Sequence, residues 1–174
     1  MLGEVYSKLV SYFIAALAMF IVPIIIINVR LNASVQDYVQ DKTVEFVDNC
    51  RATGYISPEN YKLLNKKLGS FGAYQIRLTH EKVLSYADET KKGAYIDYYM
   101  YVTNDEILGY MYPETGADRN YYMKQDDRIV VNVKNLNQTL GGKYLFAFTG
   151  LTEQPIVVNY GGLVGNTTGH INEY

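Results

Sequence analysis

Residues 9–27 read LVSYFIAALAMFIVPIIII and carry no charged side chain. A helix of that length spans roughly 28 Å at ~1.5 Å per residue, close to the hydrocarbon thickness of a bilayer. Lys8 and Arg30 flank it, and their long side chains can reach the headgroups. We therefore predict a transmembrane helix. The residues predicted to anchor it are Leu9, Phe13, Leu17, Phe20, Pro23 and Ile27.

A cleaved secretory signal is the competing interpretation of this stretch. The apolar core of such a signal usually spans about 7 to 15 residues and is followed by small residues at the cleavage site. Here the run is longer, and four isoleucines lead into Asn28, Val29 and Arg30. The length favours a permanent anchor. Pro23 removes one backbone hydrogen bond and is expected to bend the helix, which membrane helices tolerate.

The two sides of the anchor differ in size. Lys8 and Arg30 nearly balance each other under the positive-inside rule, so charge leaves the orientation open. Residues 1–8 are too few to fold. We therefore predict a short cytoplasmic stub over residues 1–8, and a single-pass protein of the cell membrane whose C-terminal domain is extracytoplasmic.

Residues 28–54 have the pattern of an amphipathic helix that continues the transmembrane one. Apolar residues lie within about 100° of one another on a helical wheel, and Gly54 follows as a typical helix end. The residues predicted to pack on the domain are Leu31, Val35, Val39, Phe46 and Cys50. An acidic stripe of Asp37, Asp41, Glu45 and Asp48 lies opposite. It is interpreted as a solvated outer face, with a binding surface for a basic partner as the alternative.

Residues 55–160 are predicted to form the extracytoplasmic α+β domain. Ser57 and Pro58 open a second, short helix with an apolar face of Tyr61, Leu64 and Leu68, and Gly69 ends it. Side chains then alternate in residues 74–80, 94–102, 129–133 and 156–160. Alternation of this kind predicts a roughly four-stranded antiparallel sheet, packed on the helices, in which each strand buries one face. The expected inward residues of the first two strands are Tyr74, Ile76, Leu78 and His80, then Ile96, Tyr98, Met100 and Val102.

The segments between and after the strands have weaker patterns. Residues 81–92 are predicted to form a charged loop, and residues 104–127 a stretch rich in turns. Leu136, Leu140, Tyr144 and Phe148 have a spacing compatible with a third helix, although Gly141 and Gly142 weaken that prediction. Residues 161–174 are interpreted as a C-terminal tail on the surface.

Composition argues against several functions. With 174 residues, a formal net charge of −2 and no Lys/Arg-rich run, the chain has no general attraction to nucleic acid. His80 and His170 stand far apart, and Cys50 is the only cysteine. His80 continues the apolar face of a strand, so we predict a structural histidine rather than a ligand. We expect no catalytic, metal or cofactor site, and no enzyme activity.

Tyrosine is unusually abundant, with 18 residues against 6 phenylalanines and no tryptophan. Tyrosine covers apolar surface while keeping a hydroxyl group for water or a partner, so faces rich in it suit contact surfaces. The alternative explanation is that many of these tyrosines simply lie half-exposed on strands, which tyrosine favours.

The predicted architecture, a membrane helix that runs into an amphipathic helix and then a small sheet, resembles that of pilins and pseudopilins. Three stretches are similar to the TadE-like proteins of tight-adherence (Flp-type) pilus systems in Gram-positive bacteria. The first is Val35 to Ser57, especially Phe46-Val-Asp-x-x-Arg-x-x-Gly-x-Ile-Ser57. The other two are Tyr112-Pro-x-x-Thr-Gly116 and Gln154-Pro-Ile-Val-Val-Asn-Tyr-Gly-Gly-Leu-Val164.

This resemblance implies a pilin-like fold and a structural role. The protein would be a minor subunit that initiates, caps or anchors a surface filament, or part of a secretion or conjugation apparatus. The implied partners are the lipid bilayer, other pilin-like subunits, membrane assembly-platform proteins and further copies of this chain.

The N-terminus departs from the family pattern. Pilin precursors of this class are cut after a glycine, with a glutamate at the fifth position of the mature chain. Here the fifth residue after Gly3 is Lys8, which argues against processing by a prepilin peptidase. The alternative function is a single-pass membrane protein whose extracytoplasmic domain binds a ligand or partner. A stub of eight residues would leave that protein no cytoplasmic output domain.

Overall fold

The computed structural model describes residues 2–87, 95–138, 142–143, 146–147, 150, 152 and 154–165. These residues form an α+β fold, as predicted. The helices are α1 (Leu2–Thr53), α2 (Pro58–Gly69) and α3 (Asn104–Met111). The strands are β1 (Tyr55–Ile56), β2 (Tyr74–Ala87), β3 (Tyr95–Val102), β4 (Tyr121–Tyr122), β5 (Arg128–Asn135) and β6 (Val157–Leu163).

Helix α1 is a single unbroken helix of 52 residues that joins the apolar and amphipathic segments. It includes Pro23 and runs through residues 28–34 without interruption. It begins at Leu2, so the predicted N-terminal stub is helical as well. Gly54, with a φ of 78°, donates its backbone N–H to the Cys50 carbonyl oxygen at 2.9 Å. The positive φ suits glycine, and the predicted end of the helix is confirmed.

Helix α2 also has the predicted bounds. The Ser57 hydroxyl accepts a hydrogen bond from the backbone N–H of Asn60 at 3.1 Å, and Pro58 occupies the first turn. The predicted apolar face is buried: Tyr61, Leu64 and Leu68 all belong to the core.

The four-stranded antiparallel sheet has the order β3-β2-β5-β6. Its register places Ile76 opposite Val133, and Val133 opposite Val158. The residues of β2, β5 and β6 that were predicted to point inward are buried, except Tyr74 and Tyr160, which are partly buried. Helix α1 covers β5 and β6, and α2 and α3 lie against β2. Strands β1 and β4 form a separate two-stranded ribbon.

Three boundaries differ from the prediction. Residues 81–87 belong to β2, because strand pairing with β3 continues through the supposed charged loop. The turn-rich stretch contains α3, whose N-terminus is closed by a capping box between Thr103 and Glu106. Strand β6 continues to Leu163, three residues into the predicted tail, because Gly161 and Gly162 still pair with β5.

The predicted third helix is described in part: residues 142–143 and 146–147 are helical, and the Gly150 backbone N–H donates to the Phe146 carbonyl oxygen at 2.8 Å. Leu136 lies in a bend just after β5 and is exposed. The other three residues on which that prediction rests, Leu140, Tyr144 and Phe148, are outside the described residues, as is the tail beyond Gly165.

The prediction that β3 buries one face is wrong. From Tyr95 to Tyr101 every residue of this strand is exposed, and only Val102 is partly buried. The reason is that β5 pairs with β2 only as far as Glu81, whereas β3 pairs with β2 from His80 onward. Residues 82–87 and 95–101 therefore extend beyond the covered part of the sheet as a two-stranded ribbon, here called the aromatic arm.

Candidate functional site: the apolar helix and its junction with the sheet

The apolar half of α1 is uncovered. All of its predicted anchor residues are exposed, and the large ones, Leu9, Phe13, Leu17, Phe20 and Ile27, range from 47% to 72%. By length and composition this is the one helix among the described residues that could cross a membrane, and its most apolar stretch has no buried share. A signal sequence has a similar composition. The core helix of a soluble protein would be covered by other elements, and this one is not.

The second half of α1 packs on the sheet. Val39, Phe46 and Cys50 are buried, and Val35 packs partly against the core, as predicted. Leu31 was predicted to pack there too and does not, because its side chain is 53% exposed. Leu31 is one helical turn before Val35, where contact with the core begins. The helical period identifies the correct face but not the point at which the sheet starts to cover it.

The buried face of α1 is wider than the predicted stripe. Thr43 and Val47 are fully buried beside it. The Thr43 hydroxyl donates to the Val39 carbonyl oxygen at 2.7 Å, which satisfies the polar group within the helix. This local bond allows a threonine to lie in an apolar interface. A broader apolar arc in the helical wheel would have included both residues.

Arg51 joins the end of α1 to β6. Its Nε donates to the Leu163 carbonyl oxygen at 2.8 Å, and its Nη1 donates to Asp48 Oδ1 at 2.8 Å. The guanidinium group lies directly on Gly162, where an added Cβ would be 2.6 Å from its Cζ atom. The Gly165 backbone N–H donates back to the Arg51 carbonyl oxygen at 3.1 Å. Because glycine has no Cβ, position 162 leaves room for the Arg51 guanidinium group.

The same junction brings together stretches that carry the family resemblance. The Tyr160 hydroxyl contacts Asp48 Oδ1 at 3.3 Å, which adds a second bond between the first stretch and the third. The second stretch lies against α2, where the Tyr112 hydroxyl donates to the Pro58 carbonyl oxygen at 3.2 Å. Residues far apart in the chain therefore hold α1, α2 and the sheet together.

The acidic stripe on α1 is largely neutralised within the chain. Glu45 contacts Lys42 at 2.8 Å and Lys67 at 3.2 Å, and Asp48 contacts Arg51. The hydrogen bond from Lys42, helped by the one from Lys67, lowers the pKa of Glu45. All four acidic residues are exposed. These contacts favour the interpretation as a solvated face over a docking surface for a basic partner.

His80 is the centre of a buried hydrogen-bonded cluster. Its Nε2 is 2.9 Å from Asp127 Oδ2, and its Nδ1 is 2.8 Å from the Tyr121 hydroxyl. Asp127 also accepts the backbone N–H groups of Lys124 at 2.8 Å and Val83 at 3.2 Å. A neutral imidazole satisfies this arrangement, because Nε2–H donates to the carboxylate and Nδ1 accepts from the tyrosine.

Burial sets the proton equilibria of this cluster. Desolvation lowers the pKa of His80, partly opposed by Asp127, and desolvation raises the pKa of Tyr121 to about 12. His80 has no exposed surface and Asp127 is 3% exposed, so a substrate has no access to them. The cluster ties β2 to β4 and to the turn before β5. His80 is therefore a satisfied structural histidine, as predicted.

Cys50 is fully buried at the helix–sheet interface, and desolvation raises the pKa of its thiol to about 12. A thiol in this state is a poor nucleophile. Within the described residues, no three His, Cys, Asp or Glu side chains come together as a metal site would require.

Comparison of the chain with models of known families, with curated proteins and with solved structures gives no match. The resemblance to TadE-like proteins therefore stays a prediction from the sequence.

Proposed function

We propose that this protein is a membrane-anchored structural subunit, similar to a minor pilin or pseudopilin, of a bacterial surface filament or of a secretion or conjugation apparatus. One observation carries the proposal. A single helix leads without a break from an exposed apolar half to a half that is packed on the sheet.

The continuity of α1 supports an anchor over a cleaved signal. Cleavage after the apolar stretch would cut through the middle of a helix, in which Asn28 is already helical and buried. Retention of the whole helix instead leaves a rod of roughly 35 Å between Arg30 and Thr53, at ~1.5 Å per residue.

The junction at Arg51 supports a mechanical role. Its bonds to β6 lie at the far end of α1, whereas Tyr38 near the middle of the helix contacts Phe71 with ring centroids 4.7 Å apart. The helix is therefore attached to the domain at both ends of their common length. A force applied to the apolar half would reach the sheet directly, as a filament or export subunit requires.

The anchor and the assembly are tested separately. Membranes from cells that express the native chain are washed with alkaline carbonate, and the intact mass of the retained protein is measured. We expect the chain in the membrane fraction with residues 9–27 present. A mature mass that lacks these residues would overturn the anchor.

The assembly role is tested by mild detergent extraction from native membranes and identification of the chains that co-purify. Pilin-like subunits or assembly-platform proteins are the expected partners. A matched sample of the Arg51→Ala variant keeps the apolar half and loosens the junction, so it should stay in the membrane while it recovers less of these partners. A signalling protein as the main partner would instead favour the ligand-binding alternative.

A further inference from the structure

The aromatic arm has an outer face that nothing in the described chain covers. In β3 alternate side chains point to opposite faces, and Met100 lies opposite Lys82 on the side that continues from the buried His80. Tyr95, Tyr99 and Tyr101 therefore point to the outer side, away from the core. They are 72%, 62% and 61% exposed.

This patch differs from the rest of the outer face of the sheet. There, β2, β5 and β6 present mostly polar and charged groups, including Gln75, Arg77, Asn132, Lys134 and Asn159. Aromatic enrichment together with the loss of lysine is the composition of a protein contact surface. Three tyrosines at these exposures present about 400 Å², within the range of the largest, often functional, patches on single proteins.

The arm lies at the end of the domain that is distal to the apolar half of α1. Just before β2 begins, Phe71 contacts Tyr38 near the middle of α1. Further along β2, Glu81 pairs with Arg128, and Arg128 pairs with Leu163. Leu163 is bonded to Arg51 at the end of α1. Strand β2 thus runs in the direction of α1, and the arm continues past its end. That places the patch roughly 35 Å or more from Arg30, out of reach of lipid headgroups.

We propose that the outer face of the aromatic arm binds the same face of a second copy of this chain in the same membrane. This inference depends on the proposed membrane anchor, which gives both copies the same orientation. The alternative, in which the β3 edges of two copies pair as antiparallel strands, is excluded. It would turn one copy over and direct its apolar helix away from the membrane. On the inner side α1 covers β5 and β6, and within the described chain only the inner face of the arm is left exposed. A two-fold axis along the membrane normal brings the two outer faces together.

The chemistry of the patch is complementary to itself. Each copy offers tyrosine hydroxyl groups as donors and the carboxylate of Asp97 as an acceptor. Within its own chain this carboxylate accepts a hydrogen bond from Ser85. About 400 Å² per copy is half of the ~800 Å² that each partner buries in a stable complex. The pair should therefore be weak in detergent and form when the membrane concentrates the anchored copies.

Cysteine crosslinking of the full-length chain in membranes tests this contact. Tyr99→Cys and Tyr101→Cys place a thiol on the outer face, and Tyr98→Cys and Met100→Cys place one on the opposite face of the same strand as matched controls. The native Cys50 can stay, because it is fully buried and its pKa is raised to about 12.

With a short bismaleimide, we expect the two outer-face variants to give several-fold more crosslinked dimer than the two controls, and detergent dilution to abolish the difference. Equal yields on both faces, or higher yields from the controls, overturn the docking surface. Absence of dimer from every variant, in membranes that retain the chain after carbonate washing, also overturns it and leaves the anchor intact. Failure of the chain to stay in the membrane contradicts the proposed function separately.

Discussion

Replacing Asp127 by asparagine should destabilise the domain far more than the same change at its neighbour Asp126. The Asp127 carboxylate is buried and accepts three hydrogen bonds, from His80 Nε2 and from the backbone N–H groups of Lys124 and Val83. An amide keeps one oxygen and brings an N–H₂ group in place of the other. Whichever way it is turned, at least one partly buried backbone donor then faces another donor.

The size of the effect follows from the least costly arrangement. If the amide N–H₂ points to Val83, one partly buried backbone N–H loses its acceptor, which costs about 1–3 kcal/mol, and the remaining bonds lose the strength that a charged acceptor provides. We expect a decrease of about 2–3 kcal/mol in the free energy of unfolding. For a chain of this length the corresponding fall in Tm is roughly 5–10 °C.

Thermal unfolding of the full-length chain in detergent, followed by near-ultraviolet circular dichroism of its tyrosines, measures this difference. Asp126→Asn is the matched control. Asp126 is exposed with a φ of 68°, a conformation that asparagine adopts readily, so its Tm should stay within a degree or two of wild type. Similar Tm values for the two variants would show that the buried carboxylate does not hold this cluster together.

Three further perturbations have defined outcomes. Burial lowers the pKa of His80, so at low pH the unfolded chain binds a proton more readily than the folded chain does. The free energy of unfolding should therefore be highest above about pH 6.5 and fall below it. The His80→Gln variant should show a weaker dependence of this free energy on pH, measured by urea titrations at several pH values. Gly161→Ala would place a Cβ 2.5 Å from a carbonyl oxygen of β5 and should cost about 1–3 kcal/mol in urea unfolding, whereas Gly109→Ala, which meets no atom within 4 Å, should be neutral or stabilising. Leu17→Arg should make the apparent free energy of membrane insertion less favourable by about 2.5–3.5 kcal/mol in a glycosylation-mapping assay. Leu31→Arg, beyond the span, should insert normally. Equal insertion of both variants would contradict the span.

The sequence determined the features that depend on neighbouring residues. An uncharged run long enough to span a bilayer, the helix ends at Gly54 and Gly69, and the cap at Ser57 are local signals. The structure confirms the helix ends and the cap, and it shows the uncharged run as an exposed helix that is compatible with a membrane span. The Thr103 to Glu106 capping box is an equally local signal, but the turn residues around it favour a loop over a helix.

Only the tertiary structure decided which surfaces are covered. Alternation in β3 predicts an inward face, but whether another element lies opposite depends on where β5 and α1 end. The same holds for Leu31, which has the correct helical phase and is nevertheless 53% exposed. The bond from Arg51 to Leu163 joins residues 112 positions apart, and the His80 cluster spans 47. Periodicity assigns a side chain to a face, and long-range packing determines whether that face meets protein, lipid or water.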